Sequence, residues 1–258
     1  MSDDLVLREQ RGAVTVLTLN DAKRRNPWSL RMRELVEQEL SELQEDEAVR
    51  AIVLTGAGGA FCAGGDMAEW GDWTLGKTRH RLRVSGKVMR MLALGSRPVV
   101  AAVEGPAFGA GLSLVSAADY VVAAENAKFS CAFIKMALVP DTGAFWSLPL
   151  KVGPGKAWEL FSLGEPFGAE EALRMGLVNK VVPAGEALPA AMAVAEKYAA
   201  LPTQTLSLMK AIRFESSQTL DSAINAEINI QPMAMATADH KEAVAAFREK
   251  RPPKFQGK

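Results

Sequence analysis

Val49-Arg50-Ala51-Ile52-Val53-Leu54-Thr55-Gly56-Ala57-Gly58-Gly59-Ala60-Phe61-Cys62-Ala63-Gly64-Gly65-Asp66 is a short β-branched run that breaks into a turn made almost wholly of small residues. The run reads as a buried strand. The pattern recurs, because Pro98 to Val103 is followed by Gly105-Pro106-Ala107-Phe108-Gly109-Ala110-Gly111. Small residues let a backbone approach a ligand closely and leave its N–H groups unshielded. Two such turns can present one amide each to a single carbonyl oxygen, forming an oxyanion hole. The alternative is a pair of tight turns that serve only close packing.

Outward from these turns, Ala13 to Leu19 and Ala118 to Ala123 have the same strand character. Met32, Leu35, Val36, Leu40 and Leu43 recur at helical spacing behind a cap at Ser29, and residues 78–94 form another helical segment. Strand, strand, helix is the recurring order, which gives an α/β fold. From about residue 153 the strand signal fades, and a soft boundary near Leu201 divides a core of residues 1–200 from a helical region of residues 201–258. That last region has little of its own to pack on and is expected to dock on the core or on a neighbouring subunit.

The 258 residues, 48% of them hydrophobic, suffice for a sizeable core. Thirty basic and 30 acidic residues cancel, so no field steers nucleic acid or an anionic membrane toward the chain. The longest apolar stretch, Pro98 to Ala124, is interrupted by Glu104, Pro106 and Asp119, which argues against a membrane span. Met1-Ser2-Asp3-Asp4 resembles no secretory or transit signal, and Cys62 and Cys131 are too few for a disulfide framework, so a cytoplasmic location is expected.

Gly71-Asp72-Trp73-Thr74-Leu75-Gly76-Lys77-Thr78 matches the P-loop pattern, but no buried strand precedes it. Gly56-Ala57-Gly58-Gly59-Ala60-Phe61 begins like a dinucleotide fingerprint and carries Phe61 where the third glycine belongs. His80 and His240 belong to no metal-ligand motif, so no metal site is expected.

Gly59 to Asp66, Gly105 to Gly111, Ala169 to Pro183 and Ala246 to Arg251 together resemble, in order, signature blocks of the crotonase superfamily, the enoyl-CoA hydratase and isomerase group. The resemblance implies a spiral of ββα units with a helical C-terminal oligomerisation region, assembled as a homotrimer or as a hexamer of paired trimers. It implies an acyl-CoA thioester substrate, with coenzyme A entering only as part of that substrate and no tightly bound cofactor. The N–H groups of Gly65 and Ala110 would hold the thioester oxygen. Lys23 and Arg25, with Arg24, correspond to basic residues near the CoA phosphates. Ala60, Ala63, Gly64, Asp66 and Met67 fall in the loop that borders CoA, and Phe247 and Lys250 match positions that reach a CoA on an adjacent subunit.

Hydratases of the superfamily use two glutamates, at positions that here read Ser113 and Phe133. Asp141, in Val139-Pro140-Asp141-Thr142-Gly143, falls where isomerases carry a single acid, and the stretch resembles the single-aspartate branch that includes ring isomerases of the phenylacetate pathway. One base can remove a proton and return it elsewhere if an oxyanion hole holds the intermediate. Leu138, Phe145 and Trp146 are expected to raise its proton affinity; Trp70 reads first as a structural residue, with lining an acyl pocket beside Trp146 as the alternative. Asp141 also reads as a cap for the helix that starts at Ala144. The competing functions are a hydratase-like or other lyase activity, an acyl-CoA-binding protein without turnover, and hydrolysis through Ser113, which needs a histidine base.

Overall fold

The computed structural model describes residues 5–69, 71, 74–215 and 219–258. Residues 1–4, Trp70, and Asp72 and Trp73 of the P-loop-like stretch lie outside them. In chain order the strands are β1 (Val6–Arg11), β2 (Val14–Leu19), β3 (Ala51–Gly56), β4 (Val99–Val103), β5 (Pro106–Phe108), β6 (Tyr120–Ala124), β7 (Lys128–Ser130), β8 (Phe167–Gly168) and β9 (Lys180–Val182). The helices are α1 (Leu30–Glu45), α2 (Leu75–Leu94), α3 (Ala110–Ala117), α4 (Ala144–Val152), α5 (Pro154–Leu163), α6 (Ala169–Arg174), α7 (Ala187–Ala199), α8 (Thr203–Glu215), α9 (Leu220–Ala236) and α10 (Ala238–Glu249). None of these helices is long and apolar enough to cross a membrane.

The expected β-branched runs form the centre of a six-stranded sheet in the order β1-β2-β3-β4-β6-β9. All neighbours are parallel except β1 with β2. Both faces are covered, and that is why the runs are apolar throughout rather than alternating. Ala51, Val53, Val100, Ala102, Val122 and Ala124 pack against Ala187, Ala191 and Ala195 of α7. Ile52, Leu54, Val99, Ala101, Val103 and Val121 point the other way, into the main core with Val36 and Leu40 of α1 and Val88 and Leu92 of α2. Each such Val, Leu or Ile contributes about 1.5–3 kcal/mol on burial.

A second, three-stranded sheet runs β5-β7-β8. The chain alternates between the sheets, passing from β4 to β5 and α3, then from β6 to β7. The first circuit follows the same course, since β3 leads to an isolated bridge from Cys62 to Ala107 of β5 before α2. This is the expected spiral of strand, strand, helix. The short strands β5, β7 and β8 and the edge strands β1 and β9 were not expected from the pattern.

Local signals set the helix starts. The Ser29 hydroxyl accepts the Met32 N–H at 3.1 Å, and Thr74 likewise caps α2 at Lys77, so α2 begins before residue 78. The Thr74 cap also places the end of the P-loop-like stretch in an ordinary helix start. The C-terminal helices dock on the core of their own chain through α8. There the buried Lys210 ammonium donates to the Leu92 and Arg97 carbonyls, each at 2.9 Å, and to Asp119 at 2.6 Å. Asp119 also accepts the Val99 N–H at 2.8 Å, tying α8 to the sheet.

Removing one member of a buried ion pair leaves the other without compensation. Asp119→Ala is therefore expected to destabilise the fold by about 3–5 kcal/mol in a denaturant titration. A loss under about 1 kcal/mol would mean that the pair does not fasten α8.

Candidate active site

The two small-residue turns occupy equivalent positions in successive circuits of the spiral. Cys62 bridges Ala107 in parallel, and Gly65 and Ala110 each lie three residues beyond. Adjacent strands are about 4.8 Å apart, so two amides at equivalent positions can both reach one oxygen at ordinary hydrogen-bond distance. The Cys62 N–H donates to the Pro106 carbonyl at 3.0 Å and the Phe108 N–H to the Cys62 carbonyl at 2.9 Å, which fixes the register.

Close backbone approach explains the glycines. A Cβ at Gly111 would collide with the Cys62 carbonyl oxygen, and one at Gly64, where φ is +102°, would lie 3.1 Å from the Phe108 carbonyl oxygen. A side chain at either position would force the two turns apart.

Neither amide has a backbone acceptor among the described residues. Ala110 is the first residue of α3, and the first N–H groups of a helix have no internal acceptor. Gly65 pairs with Trp28, but Trp28 supplies the N–H, which donates to the Gly64 carbonyl at 2.7 Å. In a parallel bridge of this kind the partner residue's own N–H points away.

Gly65 and Ala110 line one cavity of about 230 Å³ together with Asp141, Phe133, Leu138 and Arg33. Ala63, Gly64 and Met67 line it too, as does Arg81, which is paired with Glu69 at 3.8 Å. Asp141 is held there by its backbone. Its carbonyl accepts the Ala144 N–H at 3.2 Å and lies 3.1 Å from the Ser113 hydroxyl, which also reaches the Gly109 carbonyl at 3.3 Å. Ser113 thus ties the second glycine turn to the Asp141 turn.

The carboxylate accepts the Thr142 hydroxyl at 2.9 Å. Burial raises its proton affinity above the ordinary value of 3.8, while Thr142, Arg33 and Arg81 oppose the shift. Burial, then Arg81, lowers the Arg33 guanidinium to about 10, so it stays charged at neutral pH. Cys62 and Cys131 are buried thiols raised to about 11 and about 12, chiefly by desolvation, which suits packing roles.

Some expectations change. Asp141 does not cap α4, because Thr142 and Gly143 both take positive φ and put Gly143 at the cap position, with no side-chain cap bond. Of its expected apolar neighbours only Leu138 lines the cavity. Phe145 is half exposed and packs on Phe161 at 4.7 Å between ring centroids, and Trp146 lines a separate cavity with Met89 and Arg90. The Asp66 carboxylate is committed to Arg24 at 2.7 Å and to the Ala68 N–H at 3.0 Å. Ala60 is buried, and its carbonyl accepts from the Asn26 amide.

Lys23, Arg25, Phe247 and Lys250 are exposed and do not line the cavity, nor do His80 and His240, and the Ser113 hydroxyl is bonded to the Gly109 and Asp141 carbonyls. Arg33 and Arg81 were not expected. The signal for Arg33 was a charge three residues before Val36 and seven before Leu40, on the apolar face of α1.

The family described as Enoyl-CoA hydratase/isomerase matches residues 9–258. The chain is 37% identical to the 1,2-epoxyphenylacetyl-CoA isomerase of Escherichia coli K12, over 99% of each protein. It is 33% identical to the crotonyl-CoA hydratase of Syntrophomonas wolfei, over 100% of each. The solved enoyl-CoA hydratase of Bacillus anthracis superposes with a TM-score of 0.93 at 31% identity, covering 99% of this chain and 100% of that one.

Gly111→Ala is expected to lose about 1–3 kcal/mol in denaturant unfolding because the added methyl meets a backbone carbonyl. Gly155→Ala, in open space on α5, is expected to be neutral or stabilising by up to about 1 kcal/mol. Equal effects would mean that the turns are not in backbone contact.

Asp141 makes a second, pH-dependent prediction. An acid raised in the folded state contributes its stability fully below the unfolded value near 3.8 and loses it as pH rises through the higher folded value. Asp141→Asn should therefore gain Tm relative to wild type as pH rises from 4 to 8. A difference that is flat with pH would contradict burial of the charge.

Proposed function

The chain belongs to the enoyl-CoA hydratase/isomerase family, and from that premise we propose that it isomerises an enoyl-CoA or ring-derived acyl-CoA thioester with Asp141 as the single proton shuttle. The observation that carries this reading is the gathering of one carboxylate and two open amides in one cavity, with Ser113 and Phe133 where a water-activating acid would be needed.

In the simplest case the Asp141 carboxylate takes a proton from C2 of a 3-enoyl-CoA. The C–H electrons form a C1–C2 double bond, and the negative charge moves to the thioester oxygen between the Gly65 and Ala110 N–H groups. Each such donor contributes about 3–4 kcal/mol to the transition state. The new carboxylic acid then returns the proton at C4, the double bond settles between C2 and C3, and Asp141 is again a carboxylate. Partial burial suits both halves of this cycle, because it brings the aspartate's affinity for the proton closer to that of the carbon acid. Ser113 spends its hydroxyl on backbone carbonyls and Phe133 has no proton to give, so neither activates water.

Coenzyme A enters as part of the substrate, bordered by Ala63, Gly64, Asp66 and Met67, with the Lys23–Arg25 turn beside them, where the Arg25 carbonyl accepts the Ala63 N–H at 2.9 Å. Phe247 and Lys250 would serve a neighbouring subunit in a trimer or a hexamer of paired trimers. Exposed Leu220, Ile228 and Phe247 on α9 and α10 support assembly through the C-terminal helices. A cytoplasmic location accords with this chemistry.

Asp141→Asn is expected to lower kcat for 3-enoyl-CoA isomerisation by about 10²–10⁴ with KM within a few-fold, followed by the absorbance of the conjugated product. Full activity in this variant would remove Asp141 from the chemistry, and wild-type protein that hydrates 2-enoyl-CoA faster than it isomerises 3-enoyl-CoA would favour the hydratase.

A further inference from the structure

Arg33 lines the cavity, and the proton shuttle does not use it. It is 4% exposed, lines the cavity beside Asp141 and the two amides, and stands over the Trp28 ring at 5.9 Å. Its Nε and Nη1 are buried and have no hydrogen-bond acceptor among the described residues.

Arg97 shares part of this condition, since its Nε is buried without an acceptor, but its Nη1 and Nη2 donate to the Ser96 hydroxyl and the Asp46 carbonyl. Lys210, equally buried, uses three acceptors, and Arg50 donates to Thr203, Phe255 and Leu201. Asp141 is bonded to Thr142, and Glu69 reaches Arg81. A buried guanidinium has only donors to offer, and leaving them unmade is unfavourable. An apolar acyl group entering the cavity would strip away what solvation remains and deepen that penalty, whereas an oxygen acceptor would relieve it.

We propose that Arg33 is a specificity-determining residue: the acyl groups for which this site is built carry an oxygen acceptor beyond the carbons between which the proton moves, and the Arg33 guanidinium binds that oxygen. The inference rests on the reading of this cavity as the acyl site and names the substrate class within it. A carboxylate and a neutral carbonyl share the required chemistry.

The test is calorimetric binding of three six-carbon thioesters that do not react: hexanoyl-CoA, 5-oxohexanoyl-CoA and adipoyl-CoA. Wild-type protein is expected to bind at least one oxygenated thioester about tenfold to a hundredfold more tightly than hexanoyl-CoA. The stronger of the two identifies a neutral or an anionic acceptor. In Arg33→Met the advantage should fall to within about twofold while hexanoyl-CoA binds as well or better, and Arg33→Lys should keep part of it. Equal binding of all three by wild type, or an advantage that survives in Arg33→Met, overturns the proposal, and the wild-type comparison holds even if a variant fails to fold. Binding of none of the three overturns the acyl-CoA reading itself and this inference with it.

Discussion

The contact on which the rest depends is backbone against backbone, where the turn after β3 lies on β5 and the turn that follows it. Cys62 bridges Ala107, and no side chain fits between Gly111 and the Cys62 carbonyl or, without displacement, between Gly64 and Phe108. From that contact follow the equivalence of Gly65 and Ala110, the start of α3 at a residue whose N–H is open, and the placing of Ser113 one helical turn later, where it holds the Asp141 carbonyl. The placing of the two amides is thus a property of the spiral's register more than of any polar side chain. Two amides set by a sheet need no reorganisation when charge develops on an oxygen between them.

The charges in the cavity follow a simple balance. Asp141 is raised by burial and restrained by Arg33 and Arg81, and Arg81 is itself paired with Glu69. In the proposed step a proton moving to Asp141 leaves its negative charge on the thioester oxygen, so the cavity's total charge would not change. Arg33 stays fixed throughout. A hydratase must also hold and deprotonate a water; in the proposed reading Ser113 and Phe133 do not, Ser113 being bonded to backbone carbonyls.

What was legible in the sequence was whatever local pattern encodes. The central strands, the Ser29 cap, the two glycine turns and the isolated acid all declare themselves within a few residues. Strands β5, β7 and β8 have two or three residues and carry no periodicity. The cap at Asp141 was misread because Thr142 and Gly143 both turn left-handed and move the helix start past it. Phe145 and Trp146 could not both join Leu138, since adjacent helical residues point about 100° apart. Arg33 was visible as a charge on an apolar face, but nothing local distinguishes a satisfied buried cation from one that awaits a ligand.

The most direct measurement is a crystal structure with a bound acyl-CoA that the protein cannot turn over. The account predicts the thioester oxygen about 2.9 Å from both the Gly65 and Ala110 nitrogens, with an Asp141 oxygen facing C2 and C4. A thioester oxygen bound elsewhere, or a carboxylate turned away from both carbons, would contradict it.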